Sequence, residues 1–384
     1  MMTRFPIEEF ESLQTPFYFY DLKLLDRTLK EIKRTARDPR FKVHYAIKAN
    51  ANPGILRSIQ AAGFGVDCVS GWEIETALEA GFRGDRIVYA GVGKSDNEIR
   101  LGLEKGIECF NVESEPELRI ISQLAVEAGK TARVAIRVNP NIDAHTHAYI
   151  TTGLAENKFG INLEMLPGVV ALACTLPGIE LRGLHFHIGS QITETEPYVM
   201  LCETINRLQD EFNERGIRFT SINVGGGLGI DYAHPERHPI PDFESYFTTF
   251  HNHLHLRDDQ EVHFELGRSV VAQCGSLITR VLYVKEGTTK KFAIVDAGMT
   301  DLIRPALYNA HHKIENISNP NGELHHYDVV GPICESSDCF GQDETLPEVK
   351  RGDLLALRSA GAYGEIMASR YNCRPFAPSY FSER

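Results

Sequence analysis

The sequence predicts a (β/α)8 barrel joined to a mostly antiparallel β domain. Three observations predict it. Eight apolar, β-branched runs recur through the first 270 residues, separated by turn residues. The first four begin about 22 residues apart, the length of one strand-plus-helix unit. After about residue 270 the texture changes to shorter runs divided by polar turns and Gly-Asp or Asn-Gly pairs, the pattern of antiparallel strands.

The eight runs are V-H-Y-A-I (43–47), G-V-D-C-V-S (65–70), I-V-Y-A-G (87–91), C-F-N-V-E (109–113), R-V-A-I-R-V-N (133–139), L-R-G-L-H-F-H-I-G (181–189), S-I-N-V-G-G-G (221–227) and V-H-F-E-L-G-R (262–268). Their near-continuous hydrophobicity suits strands buried on both faces of a parallel sheet. Between them lie helical segments. Residues 71–80 end at Gly81, a C-cap glycine. Ser95 with Glu98 forms a capping box, and Ser114 opens a helix with Pro116 in its first turn. Segments 198–214 and 243–255 are also helix-like. An open doubly wound sheet is the second choice, but no Gly-x-Gly-x-x-Gly turn follows an early strand.

In the last third, S-L-I-T-R-V-L-Y-V, K-F-A-I-V-D, H-H-Y-D-V-V-G and D-L-L-A-L-R are the expected strands. The early stretch T-P-F-Y-F-Y-D (15–21) also reads as a strand and can join them. The expected division is therefore 22–270 for the barrel, with 1–21 and 271–384 forming the β domain.

The net charge of -12 disfavours a nucleic-acid surface, because phosphates would be repelled. No apolar run approaches the roughly 20 residues that span a bilayer, and the first residues lack a signal-peptide core. A cytoplasmic location is expected. In such a reducing compartment most of the eight cysteines should be small packed residues, Cys339 and Cys373 among them. No metal site is expected. His145 and His147 are read as a loop after the fifth strand, and His311 and His312 as surface or interface residues.

A barrel carries its chemistry at the C-terminal ends of its strands. There the sequence places Lys48, Asp67, His185, His187, Ser190, the run Gly225-Gly226-Gly227, Glu265, Gly267 and Arg268. Taken singly, a lysine at a strand end is usually a solvated loop residue and a glycine run usually a turn. Together they describe a specific receptor. Glycine N–H groups, Ser190 and Arg268 can cradle a phosphate. Lys48 can form a Schiff base with an aldehyde. Glu265 can keep a pyridine nitrogen protonated, and the His187 ring can stack on an aromatic face. Phosphate, aldehyde and pyridine together are pyridoxal 5'-phosphate.

The segments Y-A-I-K-A-N, H-F-H-I-G-S-Q, N-V-G-G-G and E-L-G-R resemble the fold-type III pyridoxal-phosphate decarboxylases. Those consist of an alanine-racemase-like barrel and a β domain. V-D-A-G-M-T-D-L-I-R-P-A-L-Y (295–308), G-P-I-C-E-S-S-D (331–338) and G-A-Y-G-E-I-M-A-S-R-Y-N (361–372) narrow the resemblance to the diaminopimelate decarboxylases, over roughly residues 15 to 375. One departure is Leu266, where the family usually has proline.

The resemblance implies decarboxylation of meso-2,6-diaminopimelate to L-lysine, the last step of lysine biosynthesis. It implies that Lys48 carries the cofactor, His187 stacks on it and Glu265 faces its ring nitrogen. Asp67, Ser190, Gly226, Gly227, Gly267, Arg268 and Tyr363 would contact or surround it. Arg268, Arg304, Tyr308, Glu335 and Tyr363 would bind the substrate. Cys334 would donate a proton to Cα. Cys334 and Glu335 would enter the partner's site in a homodimer, presented by the Gly331-Pro332 turn. Glu265 favours decarboxylation, since the related racemases are expected to have an arginine there. The alternatives are a sister decarboxylase for basic amino acids or carboxynorspermidine, or a non-catalytic cofactor-binding homologue.

Overall fold

The computed structural model describes residues 5–142 and 158–383, so His145 and His147 lie outside the described residues. Eight parallel strands form the barrel: β1 (Phe41–Ala46), β2 (Gly65–Cys68), β3 (Ile87–Tyr89), β4 (Cys109–Val112), β5 (Ala132–Asn139), β6 (Ile179–His185), β7 (Ser221–Asn223) and β8 (Glu261–Leu266). Each pairs with its sequence neighbour, and β8 pairs with β1, which closes the sheet. A two-residue strand, Ile161–Asn162, extends the end of β5; no sequence pattern marked it.

The helices start where short-range chemistry directs them. The Ser70 hydroxyl caps Gly71–Glu79 by accepting from the Glu73 N–H. Ser95 and Glu98 form a reciprocal capping box on Asp96–Lys105, and Ser114 caps Glu115–Glu127. Phe243–His253 lays its aromatic face on the last strand. Phe264 of β8 meets Phe41, Phe247, Phe250 and Tyr246 at ring-centroid distances of 4.9 to 5.9 Å. Truncating such a ring to alanine costs about 3–5 kcal/mol.

Near the N-terminal ends of the strands, His44 Nε2 and His263 Nδ1 lie 2.8 Å apart, with Glu108 3.8 to 3.9 Å from them. Their ring centroids are 5.0 Å apart and the planes differ by 20°. The two nitrogens are at hydrogen-bonding distance, and one ligand atom from each of His44, Glu108 and His263 lies within 4.8 Å of the others. Burial pushes His44 down to about 3 and His263 to about 4.

The chain forms two compact units. One is Leu29–Gly229 with Asp242–Gly267 and holds the barrel. The other comprises the N-terminal residues through Thr28, Ile230–Pro241 and the chain from Arg268 onward. The long strand Gly275–Glu286 organises this second unit. Its first half pairs antiparallel with Phe17–Tyr20 and with Leu354–Leu357; its second half pairs antiparallel with Lys291–Val295. Leu324–Val330 and Cys339–Pro347 continue the sheet. Two pairings are parallel, Lys291–Val295 with Leu324–Val330 and Phe17–Tyr20 with Ser379–Phe381. Phe10, Phe17, Phe19, Ile278, Leu354 and Ala356 pack as one apolar cluster.

Candidate active site

Inside the barrel, side chains from three strands converge on a carboxylate carried by a fourth. Glu265 Oε1, on β8, accepts hydrogen bonds from Asn223 Nδ2 at 2.7 Å and Asn111 Nδ2 at 3.1 Å. Its Oε2 lies 3.2 Å from His185 Nε2, at the end of β6. Burial alone would push this carboxyl up. The His185 imidazole against it, with Lys48 and His187 nearby, outweighs burial and holds it well below the carboxylate range. Asn111 and Asn223 were missed in the sequence. Their signal was present: each is a lone amide in an otherwise apolar strand, C-F-N-V and S-I-N-V.

Lys48 sits one short turn beyond β1, in the 3-10 segment Ile47–Ala49, and not at the strand end itself. Its Nζ lies 3.4 Å from Asp67 Oδ2 on β2. Asp67 is fully buried, and among the described residues nothing hydrogen-bonds to its Oδ1. Burial, then the charge of Glu265, pushes Asp67 well above the ordinary carboxylate value. Gly267 allows the end of β8 to approach β1 closely, since a Cβ there would stand 3.1 Å from Ala49 and 3.2 Å from Ala46.

Strand β6 ends at His185, two residues short of His187. The half-buried His187 ring accepts from the Gly226 N–H at 3.4 Å. Burial, with Lys48 and Arg137 close by, keeps this imidazole well below its usual pKa and hence neutral. The glycine run is sterically required. A Cβ on Gly226 would stand 1.9 Å from the Glu265 carbonyl oxygen, and Gly227 has φ +108°. Ser190 follows at the end of the same loop, half-buried. This unit therefore offers an anionic carboxylate fixed by three groups, a neutral imidazole, a primary amine and a side-chain-free glycine turn. That set can hold a flat, protonated nitrogen heterocycle bearing an aldehyde and an anionic substituent.

The second unit carries the cations. Arg268 and Arg304 are both buried, and each Nη1 donates to the Tyr232 hydroxyl at 2.6 Å. The Arg268 guanidinium lies 5.0 Å from the Tyr363 ring centroid. Tyr308 ends the short helix Arg304–Tyr308. Two guanidiniums on one oxygen are suited to a carboxylate. No pattern of the sequence points to Tyr232, which lies in an irregular segment.

Cys334 and Glu335 are exposed. The Cys334 N–H donates to Asn372 Oδ1 at 3.2 Å, and the Tyr371 hydroxyl donates to Glu335 at 2.9 Å. Their loop is pinned less by the Gly-Pro turn than by Asp338. That buried carboxylate accepts from the Ile333 and Met299 N–H groups, both at 2.6 Å. Two sequence expectations are corrected here. His312 is fully buried, because its Nδ1 is engaged by the Arg358 carbonyl at 2.9 Å and its ring packs edge-on to Tyr232. Cys373 is exposed and not packed, since it lies in a left-handed turn with φ +59°.

Residues 22–272 match the family described as pyridoxal-dependent decarboxylase, pyridoxal binding domain. The chain is 60% identical to a diaminopimelate decarboxylase of Bacteroides thetaiotaomicron, covering 99% of this chain and 98% of that one. It is 42% identical to the Vibrio cholerae diaminopimelate decarboxylase, covering 94% of this chain and 86% of that one. A crystal structure of diaminopimelate decarboxylase from Helicobacter pylori complexed with L-lysine superposes with a TM-score of 0.92 at 42% identity, covering 98% of this chain and 94% of that one. The chain belongs to the diaminopimelate decarboxylase family of pyridoxal-phosphate-dependent carboxy-lyases.

Proposed function

We propose that this protein decarboxylates meso-2,6-diaminopimelate to L-lysine and carbon dioxide. The observation that carries it is Glu265, held anionic in the barrel by Asn111, Asn223 and His185. Pyridoxal 5'-phosphate, when bound, supplies the electron sink for the charge left at Cα as carbon dioxide departs. Glu265 keeps the ring nitrogen of that group protonated, which makes the sink effective. Lys48 would hold the cofactor through its aldehyde group, and the neutral His187 imidazole would flank it. Asp67 stands beside Lys48 and orients its amine. Ser190, Gly226, Gly227, Gly267, Arg268 and Tyr363 receive the phosphate or border it.

Arg268, Arg304 and Tyr308 take the distal carboxylate of the substrate, and Glu335 takes the distal ammonium. A substrate lacking the distal carboxylate leaves the buried Arg268 and Arg304 charges without their partner, which is how such a site rejects it. The Cys334 thiol delivers a proton to Cα. Cys334 and Glu335 serve the site of a partner subunit; their exposure in the single chain supports this. By sequence the cofactor-binding part is 22–270, close to the matched 22–272, and 1–21 with 271–384 supply the β domain; within the former, the residues through Thr28, Ile230–Pro241 and Arg268 onward group with the second compact unit. Among the described residues no helix is long and apolar enough to cross a membrane, which supports action in the cytoplasm.

The direct test is carbon dioxide release from meso-diaminopimelate with added cofactor. No release, with turnover of ornithine, arginine or carboxynorspermidine instead, moves the protein to a sister activity. Lys48→Ala should lose the visible absorbance of the bound cofactor; a retained band overturns that residue's role. Mixing inactive Lys48→Ala with inactive Cys334→Ala should restore part of the activity if sites are shared. No recovery counts against sharing.

A further inference from the structure

A phenol is an unusual neighbour for two buried guanidiniums. Like charges a few ångströms apart repel strongly where water is excluded. Arg268 and Arg304 are only 6% and 5% exposed, yet their Nη1 atoms share one oxygen. A phenolic oxygen has two acceptor lone pairs, and these two donors occupy both. The phenolic hydrogen is left, and among the described residues no acceptor takes it.

The ring itself is firmly held. Its centroid lies 4.9 Å from the Arg304 guanidinium carbon and 5.9 Å from that of Arg268. His312 packs edge-on against it at 5.1 Å and 78°. His312 is in turn fixed by the Arg358 carbonyl, and burial pushes it down to about 3, so it adds no third positive charge.

We propose that Tyr232 is a specificity-determining positioning residue that locks Arg268 and Arg304 into one receptor for the substrate's distal carboxylate and donates its own phenolic hydrogen to that carboxylate. The proposal rests on the assignment of the arginine pair to the distal carboxylate. The charges around the phenol agree with the geometry. Burial alone would raise the phenol's pKa, but Arg268 and Arg304 outweigh burial and hold it below its usual value. A phenol polarised in this way is a stronger hydrogen-bond donor.

The test is the steady-state kinetics of Tyr232→Phe, which keeps the ring and loses the oxygen. The KM for meso-diaminopimelate is expected to rise about tenfold, with kcat within about twofold, as for loss of a binding interaction that does not change during reaction. Inhibition of the cofactor-loaded enzyme by pimelate, a dicarboxylate without amines, should weaken in parallel. Tyr232→Gln, which returns an oxygen acceptor without the ring, should fall between wild type and Tyr232→Phe. It also serves if Tyr232→Phe does not fold.

Arg304→Met separates this proposal from the assignment beneath it. If Arg304→Met raises KM and Tyr232→Phe does not, Tyr232 has no such role while the arginine pair keeps its own. If neither changes KM, the carboxylate assignment falls with it. A loss confined to kcat in Tyr232→Phe overturns positioning.

Discussion

Glu265 and Asp67 are two buried carboxylates in one barrel, and their acidities are displaced in opposite directions. Burial is not the difference, because both are almost wholly enclosed. The difference is what faces the oxygens. Glu265 receives two amide donors and an imidazole. Asp67 receives a lysine amine at 3.4 Å on one oxygen and, among the described residues, no hydrogen bond on the other. A buried charge is kept where donors are already aimed at it, and is given up where they are not. The barrel has thus fixed where its negative charge stands before any ligand arrives.

The largest expected effect comes from removing that charge. Glu265→Gln keeps the shape and should lower kcat about 10²–10³-fold, the scale seen when one preorganised electrostatic group is lost. Its cofactor content should stay near wild type. A kcat within tenfold of wild type would mean that the pinned carboxylate is not what drives the chemistry.

Weakening the support should do less. Asn223→Ala removes the 2.7 Å donor and lets the Glu265 pKa rise toward its ordinary value of 4.5. A hydrogen bond to a charged group is worth about 1.5–3 kcal/mol, or roughly one to two pH units. The acid limb of the kcat/KM profile should therefore move to higher pH by about that amount. A depressed carboxylate stabilises the fold above its unfolded pKa, and the benefit is lost as pH falls through the folded pKa. Asn223→Ala should accordingly lower Tm near neutral pH, where the unfolded carboxylate is fully ionised. An unmoved acid limb would assign the Glu265 shift to His185, Lys48 and His187 without Asn223.

The smallest effect belongs to Asp67→Asn. For an acid with a raised folded pKa, stability is greatest below the ordinary value of 3.8 and is lost as pH rises through the folded pKa. Removing the titration should raise Tm at pH 8 by an amount equivalent to about 1 kcal/mol, and by less at pH 5. If the variant instead loses more stability at pH 8 than at pH 5, Asp67 is acting as a charged partner of Lys48, and the contrast with Glu265 collapses.

What was legible in the sequence was local or periodic. The caps at Ser70, Ser95 and Ser114 depend on residues three positions away, so short motifs reveal them. The eight strands announce themselves by apolar runs, and the strand ends then point to Lys48 and Glu265. The rest depends on long-range meeting. Asn111 reaches Glu265 across 154 residues, and Tyr232 reaches Arg304 across 72. No window of sequence contains both partners. His312 reads as a surface histidine because its burial comes from Tyr232 and Arg358, both far along the chain. Asp338 was overlooked for a different reason: the more familiar Gly-Pro pair in the same stretch already offered an account of the loop.

The pairing of Phe17 with Ile278 has a consequence for the order in which this chain can be made. Phe17–Tyr20 leaves the ribosome about 260 residues before the strand that will cover it. At roughly 5–20 residues per second, that interval is on the order of tens of seconds. Through it Phe10, Phe17 and Phe19 have one another but lack Ile278, Leu354 and Ala356, which complete their cluster in the finished sheet. In the barrel only the closure of β8 on β1 waits comparably long; every other barrel pairing joins neighbours in sequence. Nascent chains halted near residue 270 should therefore show protease cleavage around residues 10–20 while the barrel resists. Equal protection of both would mean that the N-terminal strand finds a temporary partner during synthesis. The N-terminal strand is thus among the first segments synthesised and among the last to be housed, and its apolar face is the part of the newborn chain most in need of a chaperone.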